Sequence, residues 1–174
     1  IITGLVGSEM CIRDRLKTVT VTSPGQLYTT PPDITFTAGT TNPDATAVLE
    51  QYGVINRIDI SDGGTTYTGT PTITIEEPNQ VTFDTFSDIS GTTFTLPNNP
   101  FTNNLRIVYD NNSGSESIGL SSGTIYYVVN KSGDNFGLAT SQGGSAISLS
   151  PSADSSSAES HSLKGVNAEA TLTA

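Results

Sequence analysis

The residues of this chain best suited to chemistry begin with its single histidine, His161, in the run SADSSSAESHSLKG. Ser160, His161 and Asp154 supply the residue types of a nucleophile, a base and an orienting acid. Such a triad works only when its members are held on rigid elements within hydrogen-bond reach, and a serine-rich stretch predicts an exposed loop instead. No catalytic residue is therefore assigned. The stretch DNNSGSE gathers Asp110, Asn112 and Glu116, oxygen donors of the kind calcium takes. An EF-hand loop starting at Asp110 would need glycine where Ser115 stands and glutamate where Ser121 stands, so a solvated turn is expected and no metal site is assigned. Glu76 and Glu77 are adjacent on a strand-like segment, so they point to opposite faces and form no acid–base pair. Tyr126 and Tyr127 are likewise adjacent: one is expected in the core and the other at the surface, where it is the candidate contact for a glycan.

Composition bounds what could hold such residues in place. The chain has 174 residues and a formal net charge of −10. That balance repels phosphate backbones, so no nucleic-acid partner is expected. No apolar run approaches the ~20 residues of a membrane-spanning helix, so no membrane insertion is expected. One cysteine supports neither a disulfide framework nor a cysteine metal site, and no cofactor is expected. Glycine (17) and proline (9) punctuate a chain without tryptophan and without sustained helical periodicity. These features predict an all-β protein of two small modules of short antiparallel strands, a repeat module and then a sandwich-like or barrel-like one.

The first module is a two-copy repeat. VTVTSPGQLYTTPPDITF (19–36) aligns without a gap on IDISDGGTTYTGTPTITI (58–75). Gly25, Tyr28 and Pro32 match Gly64, Tyr67 and Pro71. Apolar positions 19, 21, 34 and 36 match 58, 60, 73 and 75, which is strand alternation on both sides of a turn. Each copy reads as a strand, a glycine turn whose backbone a Cβ would forbid, a buried tyrosine, a proline ending the loop and a second strand. Between the copies, ATAVLEQYGVINRIDI reads as two strands around the turn Gln51-Tyr52-Gly53. The terminal run Ala168–Leu172 looks like Ala45–Leu49 and is expected to open a further, truncated repeat. In the second module, strands are expected at Thr93–Leu96, Arg106–Tyr109, Ile125–Asn130, Phe136–Ala139 and within GGSAISLS, separated by glycine and asparagine turns.

The repeat pattern V-x-V-x-x-x-G-x-x-Y-T-x-x-P-x-I-T-I resembles the glycine-tyrosine-proline β repeats of structural proteins from marine, cyanophage-like tailed phages. The order NPFTNNLRIVY, GLSSGTIYYV, FGLA and HSL resembles a module of fibre and baseplate-associated proteins in the same viruses. Asn99-Pro100 stands where that module has His-Gly, and Asn103-Asn104 where it has Gly-Asp. The resemblance implies a non-catalytic virion component (tail fibre, baseplate or neck-associated) that contacts other virion proteins. It implies a homo-oligomer, plausibly a trimer, and a contribution to host-surface attachment through a glycan. A bacterial surface adhesin or carbohydrate-binding repeat module is the alternative, located at the cell surface instead of the virion. An accessory module of a polysaccharide-degrading enzyme is a third. The opening SEMCIRDR holds the sole Cys11 and Met10 and has no joint with the repeat. Its reverse translation resembles a sequencing-library adapter, so residues 1–15 are expected to be adapter translation and the rest a fragment of a longer reading frame. The expected organisation is then 16–78 repeat module, 79–164 second module, and 165–174 the start of a further strand or repeat.

Overall fold

The computed structural model describes residues 15–37, 42–51, 53–65, 67 and 71–173, so almost all of the presumed adapter segment and Tyr52 lie outside the described residues. Among the described residues there are thirteen strands and no helix, and every strand pairing is antiparallel. The protein is all-β. It divides into two compact units, Pro78–Val166 and a first unit made of the chain up to Glu77 together with Asn167–Ala174.

The first unit holds β1 (Thr18–Pro24), β2 (Ile34–Thr37), β3 (Asp44–Glu50), β4 (Val54–Asp62), β5 (Thr72–Ile75) and β13 (Ala168–Thr173). They form three two-stranded ladders, β1 with β13, β2 with β5 and β3 with β4. The repeat is visible as an approximate two-fold relation. In the β2–β5 ladder Ile34 faces Ile75 and Phe36 faces Ile73, so each copy presents the same positions to the other. Val21 pairs with Ala170 as Ile60 pairs with Ala45, and Val19 pairs with Leu172 as Ile58 pairs with Ala47. Both ladders then slip by one residue on the repeat strand, at Thr22 and at Ser61, before Ser23 meets Glu169 and Asp62 meets Asp44. A shared β-bulge is a specific device, because it bends the strand and re-aims the side chains beyond the bend.

β13 is therefore equivalent to β3, with Asn167-Ala168-Glu169-Ala170-Thr171 standing for Asn42-Pro43-Asp44-Ala45-Thr46. The pairing differs from the sequence alignment by two residues, since Ala170 and not Ala168 corresponds to Ala45. The segment expected to open a further repeat stands against β1 in the place that β3 takes against β4. The core beneath these ladders is small, built from Leu16, Val19, Tyr28, Phe36, Ala47, Ile55, Ile58 and Ala168.

Gly25 and Gly64 both have left-handed backbone, φ +63° and +64°. At Gly25 a Cβ would also lie 2.8 Å from the backbone nitrogen of Ala168, which cannot give way without moving β13. Gly25→Ala is accordingly expected to cost about 2 kcal/mol or more, backbone strain plus a steric shift. A urea melt followed by tyrosine fluorescence reads that loss directly.

The second unit is one seven-stranded sheet in the order β6 (Gln80–Asp84), β12 (Ser160–Gly165), β9 (Arg106–Asp110), β10 (Ile125–Ser132), β11 (Asn135–Ala139), β8 (Thr93–Thr95) and β7 (Ile89–Ser90). The sheet curls, for the ring of Phe83 on one edge strand packs edge-on against Phe94 on β8, centroids 5.1 Å apart. Phe94 stacks on Phe136, and Phe101 meets Phe136 edge-on at 4.9 Å, so one aromatic chain crosses the interior. Asn104 has left-handed backbone (φ +69°) and donates its N–H to Val128, while the Asn103 carboxamide accepts from Lys131. These two asparagines therefore shape a turn.

Two expectations are corrected here. GGSAISLS forms no strand, because Ile147, Leu149 and Ser150 donate to three different partners, Leu138, Gly91 and Ile118, and never follow one ladder. The serine-rich stretch before Lys164 is not wholly an exposed loop, because Ser160–Gly165 is β12, flanked on both sides by β6 and β9.

Candidate functional site

His161 is wholly buried on β12, opposite Phe83 on β6 and against the edge of its ring. Its two ring nitrogens are both engaged: Nδ1 lies 2.7 Å from the hydroxyl of Tyr109 on β9, and Nε2 lies 3.1 Å from Oε2 of Glu159. Glu159 also accepts the backbone N–H groups of Ser115 and Glu116 at 3.0 and 2.9 Å. Those N–H bonds, led by that of Glu116, hold its carboxyl down at about 2. An ionised carboxylate only accepts, so Nε2 of His161 carries a proton and donates to Glu159; in the neutral ring Nδ1 then accepts the Tyr109 O–H. Burial, the largest cause, pushes the Tyr109 hydroxyl up to about 12, so it stays protonated.

The neighbours extend the network. Ser162 donates to Asn112 at 3.0 Å, and the Asn112 amide donates to the Ser160 carbonyl at 2.9 Å. The buried hydroxyls of Thr85 and Ser152 are 2.6 Å apart, and Thr85 also accepts the N–H of Glu159 at 2.9 Å. Among the described residues no buried side-chain polar atom lacks a partner. The chain Tyr109–His161–Glu159 thus ties two loops, at 111–116 and 152–159, to the sheet. Its atoms bond one another, which makes it a clamp.

The residues read as possible chemistry are dispersed. Asp154 is engaged in its own turn, its carboxylate accepting from Ser156 and Ser157, and those bonds lower its pKa, the Ser156 hydroxyl first. It is not a partner of His161. Ser160 is exposed on β12. Asp110 accepts from Asn112 N–H at 2.8 Å, a turn closed by its own side chain, and no metal-holding group of acids, histidines or cysteines occurs among the described residues. Glu76 exchanges backbone and side-chain hydrogen bonds with Asp33. Tyr126 is buried and its hydroxyl accepts the Ser121 N–H at 2.9 Å, so it cannot be a surface platform, whereas Tyr127 is half-buried.

The repeat residues divide in the same way. Pro32 and Pro71 are buried ahead of β2 and β5. The Tyr28 hydroxyl accepts the N–H of Ala168 at 3.0 Å, while Tyr67 is half-buried and donates to the Gly63 carbonyl at 2.6 Å. The equivalent of Ala168 in the second copy is Pro43, which has no N–H to offer, and this accounts for the difference.

The signal for the clamp was present in the motif His-x-Leu. Period-two alternation puts His161 and Leu163 on one face, and Leu163 is fully buried. Glu159 contributes through the backbone of a distant loop, which no local pattern announces. Comparison of the chain with protein-family models, curated proteins and solved structures finds no match.

The clamp has an acid consequence. A carboxyl depressed from the ordinary 4.5 to about 2 stabilises the fold fully above 4.5, and that contribution is lost as pH falls through 2. Glu159→Gln is expected to be less stable near neutrality and to lose less of its remaining stability between those limits. Urea midpoints measured from pH 6 downward test it; parallel pH curves for parent and variant would refute it.

Proposed function

We propose that the chain is a non-catalytic structural module of a phage virion, of the tail-fibre, baseplate or neck-associated kind. It works by geometry, contacting other virion proteins and contributing to attachment at the host surface. The observation that carries this reading is the two-copy β repeat, whose copies share register and bulge and whose sequence pattern resembles tailed-phage structural repeats. The closed clamp around His161 supports a structural role, since its polar atoms bond one another. Tyr127 is the remaining side chain for a glycan contact.

Mass spectrometry of virus-sized particles and of the cellular fraction from the source sample tests this. The tryptic peptides Thr18–Arg57 and Ile58–Arg106 are expected to be enriched in particles. Their enrichment in cell envelopes would overturn the virion reading and favour a surface adhesin.

A further inference from the structure

We infer that the seat beside β1 is a strand-exchange site, and that it accepts the β13 of a second copy of this chain. The seat is built for a strand of one kind. Lys17 donates its N–H to Thr173 at 3.0 Å, and Ala168 is buried with its N–H on the Tyr28 hydroxyl. Gly25 leaves the clearance that this approach requires. The second copy of the repeat fills its equivalent seat with β3, in the same register and with the same bulge.

The two strands differ in how they are tied. β3 is followed within four residues by its partner β4 and cannot leave without opening a hairpin. β13 is separated from β1 by the whole second unit, and only Val166 and Asn167 connect it to β12. Among the described residues β13 pairs with β1 alone. It also borders a groove of about 330 Å³ lined by Thr22, Ile73, Ile75 and Ala170, and its release breaks that single ladder. A β13 from a second chain remakes every one of these contacts, which is the condition for exchange of an identical element at low cost. The added segment pairs by main-chain hydrogen bonds, and the buried Ala168 selects for small side chains. This inference does not depend on where the protein works.

Two single-cysteine variants of the full chain test it, each also carrying Cys11→Ser. Thr20 and Thr171 are paired across the ladder and both are exposed, so Thr20→Cys and Thr171→Cys leave the core intact. When the two variants are refolded together and oxidised, an in-register disulfide can form only between chains. The expected result is a Thr20→Cys/Thr171→Cys heterodimer severalfold more abundant than that from Thr46→Cys with Thr171→Cys. Thr46 is also exposed but lies on β3. The heterodimer is further expected to rise with protein concentration. Equal yields from the two mixtures would overturn the inference. So would a double variant, Thr20→Cys with Thr171→Cys in one chain, that forms only the intrachain bond at every concentration.

Discussion

Replacing His161 with alanine is expected to lower the stability of the second unit by about 3–5 kcal/mol, a large part of the ~5–15 kcal/mol that holds a typical domain together. Two costs combine. The imidazole is fully buried against Phe83 and Tyr109, so truncation leaves a void in the most aromatic part of the core. The Tyr109 hydroxyl also loses its partner, while Glu159 loses one of its donors and keeps the backbone N–H groups, and a buried hydroxyl without a partner costs about 1–3 kcal/mol. Tyr109→Phe removes only the hydroxyl and is expected to cost the smaller amount, ~1–3 kcal/mol, because Nδ1 is then the unpaired atom. The double variant should cost less than the sum, since each single change strands an atom that the other removes. Urea melts of the four proteins measure this coupling. The chain has no tryptophan, so its six tyrosines report unfolding. A His161→Ala loss below about 1 kcal/mol, the range of exposed positions, would remove the clamp from the account. Because His161 is the only histidine, nitrogen NMR of its ring is free of overlap, and the proton is expected on Nε2.

This clamp shows where sequence reading reached and where it stopped. Alternation across 19–36 and 58–75 was legible because strand period and turn chemistry are local, and the left-handed Gly25 and Gly64 followed from the same pattern. β12 was hidden by composition. Serine-rich surroundings read as loop, yet a strand between two neighbours takes its stability from ladders and from a core face, here His161 and Leu163. β13 was legible as a strand of the repeat type, but its register and partner were not, because β1 lies at the far end of the sequence. The partners of Glu159 were out of reach for the same reason: the N–H groups of residues 115 and 116 meet it through the fold alone. Of the adjacent tyrosines, Tyr126 is buried and Tyr127 half-buried, and alternation alone does not say which of two neighbours turns inward.

The repeat makes the other large effect unusually specific, because it supplies an internal control. Tyr28→Ala is expected to destabilise the first unit by about 3–5 kcal/mol, the usual cost of truncating a buried aromatic. Among the described residues this core cluster has eight buried side chains, so each carries a larger share than in a bigger domain. Truncation also strands the Ala168 N–H, which the Tyr28 hydroxyl holds in the β13 seat. At the matching position Tyr67 is half-buried, and Pro43 presents no N–H to be stranded, so Tyr67→Ala should cost only ~1–2 kcal/mol. Tyr28→Phe separates the two contributions: it keeps the packing and removes the hydroxyl, and is expected to fall near the Tyr67→Ala value. Thermal or urea melts rank the three variants. Equal losses at Tyr28 and Tyr67 would mean that the two copies carry equal loads and that the β13 seat adds nothing. A loss confined to Tyr28, with hydrogen exchange accelerating first along β1 and β13, would locate the difference in the Ala168 contact, since local opening follows the ladder that has lost its anchor.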